Sequence, residues 1–342
     1  MSVSLPRMSS LDGLRGVLAL LVCVGHLGLN TIANKIGVHV RFQLSVDIFF
    51  ALSAFVLCYS NYFKRKSFGT FIIDRISRLY PLYILTVIVM SLLALIEGRP
   101  LKYIELFQEI FLVHNIGFPP ATLPANFPSW SISIEMWVSI AFFWILQRRA
   151  HRIIPLIVFS LMFLIFTPQF IQGDAEYLLG PLNDGVVRGL VGFSTGVVAF
   201  LFYEKNRSWL RAPNFFVYAL LGLLTILFML PKWTSYTTLS FYVLTGMSLV
   251  ALATNEEVAF SAPPMKWLGD ISYSIYLLHI PIYASLTVIF GDGPLRNGGK
   301  FVLVMPIIML LSYLSFRFIE LPSRKFIRTH LKRRPNAPPP PA

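Results

Sequence analysis

The chain has 342 residues, 56% of them hydrophobic and 13% charged, where a soluble domain carries about 25% charged residues. A mean hydropathy of +0.67 leaves more apolar side chain than a buried interior absorbs, so lipid must solvate much of it and a water-soluble fold is excluded. The net charge of +13 is carried by short clusters between apolar runs rather than by one continuous face, which speaks for membrane topology and against nucleic-acid binding.

The opening MSVSLPRMSSLDGLRG is polar, and the apolar run after it lacks a small-residue cleavage site, so that run is expected to remain as a span. Ten transmembrane helices are expected, at roughly 16-34, 44-62, 79-96, 130-146, 153-170, 185-203, 214-231, 238-254, 268-290 and 301-319, each about 17 to 23 residues as a bilayer core requires. The fold class is therefore all-α, a polytopic transmembrane helix bundle. The clusters Lys64 to Lys66, Arg75 with Arg78, Arg148 with Arg149 and Arg152, Lys205 with Arg207 and Arg211, and the basic tail fall on one side. They outnumber the bases opposite, which places both termini in the cytoplasm. The loop 97-129 carries YIELFQEIFLVHNIGF, apolar enough to dip into the interface, and then PPATLPANFPS; it is a candidate lid or acceptor-binding segment. Residues 1-322 form the expected membrane domain. The tail 323-342, SRKFIRTHLKRRPNAPPPPA, is basic and then Pro-rich, and is expected to lie on the anionic inner leaflet and end in disorder. Cys23 and Cys58, the two cysteines, both lie in apolar runs, so neither a disulfide framework nor a metal site is expected.

Ionisable side chains inside spans cost about 2.5 to 3.5 kcal/mol on insertion scales, which marks each as a functional candidate. In DGLRGVLALLVCVGH, the steps from Arg15 to His26 make about three turns and a rise of about 16 Å, so both project from one face, Arg15 at the cytoplasmic mouth and His26 near mid-membrane. Asp12, one turn before Arg15, is placed to hold it. A neutral imidazole in a dry interior accepts a hydroxyl proton, the general-base role that acyl transfer to an alcohol needs; the alternative is a structural histidine bonded across helices. Asp47 in VDIFF is a candidate to orient His26, with helix N-capping as the competing role. Arg75 and Arg78 share a helix face and either grip phosphate, as coenzyme A binding needs, or anchor the chain to the inner leaflet.

In PSWSISIEMW, Trp130, Ser133 and Glu135 open the fourth span either as a sugar-binding shelf, with indole stacking and hydroxyl and carboxylate hydrogen bonds, or as an aromatic belt. In LGDISYSIYLLH, Ser272, Tyr276 and His279 make one polar stripe with Tyr273 beside it, which lines a cavity or packs against another polar helix. Arg188 and Glu320 are further charges whose partners the sequence does not name.

Taken in order, LDGLRG with Arg15 and His26, VDIFFALSAF, RISRLYPLY, WSISIE, LGDISYSIYLLH and IELP resemble the acyltransferase-3 family of integral membrane acyltransferases over almost the whole membrane region. The resemblance implies that His26 is the catalytic histidine, that Glu135 belongs to the active-site lining, and that Arg15, Arg75 and Arg78 serve acyl-CoA binding. Asp12 joins His26 and Glu135 in the expected catalytic set, and Trp130, Ser133, Tyr273, Tyr276, His279 and Asp47 are the substrate-side candidates. The implied donor is acetyl-CoA, with no metal. The implied acceptor is a sugar or polysaccharide hydroxyl, free or lipid-linked, such as an exopolysaccharide unit at a bacterial inner membrane. The chain departs from the family at Ala54, where relatives carry Gly, and it is expected to lack the esterase-like domain that some relatives append, so that the membrane part does the chemistry alone. Two other readings stay open: an O-acyltransferase of a small molecule such as an antibiotic sugar, and a secondary transporter or glycolipid flippase, because intramembrane His, Glu and Arg also suit a proton-coupled path.

Overall fold

A computed structural model describes residues 7–64, 66–116, 126–148, 177–179, 182–291 and 300–331, with isolated positions between 154 and 160. Its helices of eight residues or more, in chain order, are α1 (Ser9–Val24, prolonged by a π turn Gly25–Leu29), α2 (Leu44–Lys64), α3 (Phe68–Ile96), the short α4 (Tyr103–Ile110) and α5 (Ser129–Arg148). There follow α6 (Asp184–Asn206), α7 (Asn214–Phe228), α8 (Ser235–Ala253), α9 (Pro263–Phe290), and α10 (Met305–Ser315), which passes through a π turn into α11 (Leu321–Leu331). Among the described residues, 8 helices are long and apolar enough to cross a membrane, the last of them combining α10 and α11. A small antiparallel ribbon, Tyr177–Leu179 with Leu182–Asn183, leads into α6. The protein is an integral multi-pass membrane protein built as a helix bundle. Large apolar side chains such as Leu92, Leu201, Leu223, Ile289 and Leu310 stand exposed on its outside. Each would lose about 1.5–3 kcal/mol in water relative to burial, and none does so against lipid.

Most expected spans coincide with helices, and the differences have local causes. The expected span at 153-170 lies outside the described residues except for isolated positions up to 160. The helix expected from 79 begins at Phe68, because Ser67 caps it by accepting the Thr70 N–H at 3.2 Å and the charged turns of FIIDRIS remain helical beyond the apolar stretch. The apolar helix expected at 214-231 ends at Phe228, just short of Pro231. The tail expected to lie on the leaflet and end in disorder begins as helix α11, which runs on from the π turn Phe316–Glu320 through Pro322. Residues 332–342 lie outside the described residues.

Two close crossings frame the site. Along α1 and α9, a Cβ on Gly269 would fall 2.3 Å from the Asp12 carbonyl oxygen, and one on Gly16 would fall 2.7 Å from Leu268, so only glycines let these backbones touch. Along α2 and α6, a Cβ on Gly196 would fall 2.0 Å from the Ala51 carbonyl oxygen. The methyl of Ala54, the departure noted above, fits because Gly196 faces it with none.

Candidate active site

The α1/α9 crossing brings together residues that the sequence keeps far apart. His26 lies on the π turn that ends α1, where Gly28 at φ 99° takes a conformation that side-chain-bearing residues rarely adopt and turns the chain away. Its imidazole is exposed and meets that of His279 on α9 edge to edge, with ring centroids 5.1 Å apart and planes within 9°. The His26 Nδ1 to His279 Nε2 distance is 2.8 Å. His279 is fully buried, and its Nδ1 lies 3.0 Å from the Ile275 carbonyl oxygen.

That last contact fixes the protons. A carbonyl oxygen only accepts, so His279 Nδ1 carries a hydrogen and its Nε2 in the neutral ring is an acceptor. His26 Nδ1 must then donate to it, which leaves the Nε2 lone pair of His26 open. The result is a histidine with a pinned tautomer and an available base, oriented by a second histidine where other enzymes use a carboxylate. Around the pair, the Phe127 ring stands perpendicular to His26 with centroids 5.7 Å apart, Asn126 donates to the Leu277 carbonyl at 3.0 Å, and the Tyr276 hydroxyl lies 3.1 Å from the Pro128 carbonyl and 2.7 Å from Ser131 Oγ. The end of the 97-129 loop is thus fastened to α9 beside the two histidines.

At the other end of α1 the surroundings are cationic. A cavity of about 160 Å³ is lined by Arg15, Lys66, Arg75, Arg78, Arg324 and Arg328 with a single carboxylate, Asp74. Arg15 reaches Ser272 Oγ, the Gly269 carbonyl and Asp12 Oδ1, each at 3.0 Å. A narrower cavity of about 50 Å³ shares Arg15, Ser53 and Arg78 with this vestibule and continues between Glu135, Ser131, Tyr273 and Tyr276. Tyr276 packs in turn on His279, ring centroids 6.2 Å apart. The two cavities therefore share walls from the cationic mouth as far as Tyr276, the neighbour of His279. A larger apolar cavity of about 490 Å³ between α6, α7 and α8 holds neither a histidine nor a charge in its walls.

Several expected placements change. Asp47 does not meet His26: both of its oxygens hold Arg188, at 2.7 and 3.1 Å, and Tyr242 donates to Oδ1 at 2.8 Å. Arg188 and Asp47 are both buried, and a guanidinium buried that deeply requires a carboxylate. Glu135 and Trp130 do not form one shelf, since five helical steps put them about 140° apart around α5. Glu135 Oε1 accepts from Arg75 at 2.7 Å and Ser53 at 2.8 Å, while the Trp130 ring lies 5.1 Å from the Arg188 guanidinium. Ser133 is buried and donates to the Leu112 carbonyl at 2.6 Å, which the Trp137 indole also reaches at 2.9 Å. Tyr273 lines the narrow cavity while its hydroxyl donates to the Leu79 carbonyl at 2.6 Å. Glu320 accepts from Ser274. His279 faces His26 rather than a substrate.

Sequence reasoning passed over Asp74 and Ser53, and read Lys66, Arg324 and Arg328 only as topology and leaflet signals. For the last two a signal existed: SRKFIR repeats arginine at a one-turn spacing, which puts both on one face.

Residues 8–317 match a family described as "Acyltransferase domain". The peptidoglycan O-acetyltransferase OatA of Listeria monocytogenes is 24% identical over 92% of this chain and 56% of its own length. The O-acetyltransferase OatA of Staphylococcus aureus is 24% identical over 94% of this chain and 58% of its own. The exopolysaccharide production protein ExoZ of Rhizobium meliloti is 26% identical over 76% of this chain and 84% of its own length. The chain thus spans a little over half the length of the two OatA relatives. No solved structure matches it.

Proposed function

The chain belongs to this acyltransferase family, and on that premise we propose that it moves an acetyl group from coenzyme A to a hydroxyl of a bacterial glycan. The observation that carries the reading is the His26–His279 pair, which lies beside Tyr276, a wall residue of cavities that begin in a cluster of cations. The phosphates of acetyl-CoA dock at the vestibule, where cations far outnumber the single carboxylate. Arg75 stays paired with Glu135 and holds the wall between vestibule and channel, while Arg78 and Arg15 face the entering ligand. The pantetheine arm passes between Glu135 and Tyr276 and brings the thioester to the histidines.

His26 Nε2 removes the proton of the acceptor hydroxyl as its oxygen attacks the thioester carbonyl. The C–S bond breaks as the ester C–O bond forms, and the imidazolium returns the proton to the departing CoA thiolate. His279 accepts from His26 Nδ1–H throughout and steadies the charge on the ring. The acceptor arrives beside Phe127, on the face opposite the vestibule. Ten spans, cytoplasmic termini and a bacterial inner membrane complete the proposal: the donor is then taken from the cytoplasm and the glycan, an exopolysaccharide or peptidoglycan unit, is met outside. The named activities of OatA and ExoZ support the acceptor class.

Ester-linked acetate on the surface glycans of cells lacking their own acetyltransferase tests the reading. Wild-type expression should add it and His26→Ala should not. Equal acetate in the two strains would rule out His26 as the base, and none in either, with folded protein in the membrane, would rule out the glycan acceptor.

A further inference from the structure

Helix α11 closes one side of the vestibule. Arg324 and Arg328 lie one turn apart on its half-buried face and line the same cavity as Arg15 and Arg78. Their settings differ. Arg328 is ion-paired with Asp74 Oδ1 at 3.0 Å while Lys66 holds Oδ2 of the same carboxylate at 2.9 Å, so Asp74 ties α11 to α3. Arg324 has no hydrogen bond or ion pair among the described residues, and Arg78 has none either. Arg324 lies within electrostatic reach of Arg78, Arg328 and Arg15 as like charges, with Glu320 as the opposing one. Arg15 and Arg75 feel Arg78 in the same way. Cations that outnumber their carboxylates at the mouth of a low-dielectric interior repel one another, and a polyanion seated among them relieves that repulsion.

We propose that Arg324, carried on α11, donates to the phosphates of the nucleotide end of acyl-CoA, and that the Arg328–Asp74–Lys66 bridge positions the helix for it. The inference rests on the acyl-CoA reading above and deepens it. A guanidinium fork suits phosphate oxygens, and a free one beside Arg78 suits a ligand with several of them. The C-terminal helix is then part of the donor site and not only a basic anchor on the inner leaflet.

The test uses the full chain in lipid nanodiscs, with Arg324→Gln, Arg324→Lys and wild type compared for stabilisation against heat by CoA, by adenosine 3′,5′-bisphosphate and by S-acetylpantetheine, which lacks the nucleotide. Arg324→Gln should raise the half-saturating concentration of CoA and of the bisphosphate about tenfold, leave the S-acetylpantetheine response unchanged, and be partly restored in Arg324→Lys. An unchanged half-saturation for CoA in folded Arg324→Gln would overturn the proposal. So would an equal loss with S-acetylpantetheine, which would make α11 a structural element. Stabilisation by phosphatidylglycerol but not by CoA, lost in Arg324→Gln, would make this a lipid-headgroup site and overturn it likewise. Arg324-dependent CoA binding without acetyl transfer would leave the nucleotide site standing and remove the acyltransferase reading. No CoA binding by wild type would remove both.

Discussion

Replacing His279 by leucine removes the acceptor for His26 Nδ1–H, 2.8 Å away, while keeping an apolar side chain of similar bulk in a fully buried site. A hydrogen bond of this kind contributes about 0.5–1.5 kcal/mol net, so its loss alone lets the wrong tautomer in by a factor of about 2 to 12. The freed imidazole also turns away from the acceptor hydroxyl, and the general-base contribution then at stake is about 10²–10⁴ in rate. We therefore expect His279→Leu to lower kcat by between about tenfold and about 10³-fold, with KM for acetyl-CoA within about twofold of wild type because the vestibule cations are untouched. His279→Gln keeps an acceptor oxygen and should recover most of the loss. The assay is the initial rate of label transfer from acetyl-CoA at saturating acceptor, normalised to folded protein. A wild-type kcat in His279→Leu, or a loss confined to KM, would refute the argument that this histidine sets the tautomer of the other.

Three further outcomes are expected. Asp47→Ala leaves Arg188 buried without its carboxylate and should cost about 3–5 kcal/mol; its denaturation midpoint in detergent should fall, and the joint change Asp47→Leu with Arg188→Met should be milder, whereas an unaltered midpoint in Asp47→Ala would count against the pair. Gly269→Val places carbon where the Asp12 carbonyl sits, 2.3 Å from a Cβ, and should push α1 from α9, breaking both the Arg15–Ser272 and His26–His279 contacts; transfer should drop at least about a hundredfold, and retention of activity would mean that the crossing is not tight. His114, buried in the loop between α4 and α5 and stacked over Tyr83, is held neutral by burial, which lowers its pKa to about 4. Its folded pKa lies below the unfolded value, so the unfolded chain binds more protons in acid and stability is full above about 6.5 and falls as the pH drops from there towards 4. Acid unfolding followed by tryptophan fluorescence should therefore be less steep in that window for His114→Gln, and an identical pH profile would exclude His114 as the cause.

The bundle was legible in the sequence because lipid imposes one rule, long apolar helices, and apolar runs report it directly. Charges blurred the ends: α3 starts well before its apolar stretch and α11 continues past Pro322, since helix formation depends on backbone hydrogen bonding and hydropathy marks only the lipid-solvated part. At the site, His26 and Arg15 were found through helical spacing, a local property. The partner of His26 was not, because His279 is brought to it only by the glycine crossing of α1 and α9, and no local pattern encodes a contact between residues so distant in sequence. Asp47 and Glu135 were recognised as costly intramembrane acids, but their role depends on which arginine folding delivers, Arg188 in one case and Arg75 in the other. Ser133 and Trp130 show a different failure, that of reading a motif as one surface when a helix distributes it over several faces.

Purified protein in proteoliposomes, given radiolabelled acetyl-CoA and glycan fragments, offers the most direct measurement of whether acyl transfer runs through His26. Wild type should release free CoA and place alkali-labile label on glycan hydroxyls, and His26→Ala should lower that transfer at least about a hundredfold while CoA still stabilises the protein. Transfer undiminished in His26→Ala, or none from folded wild type that binds CoA, would contradict the account.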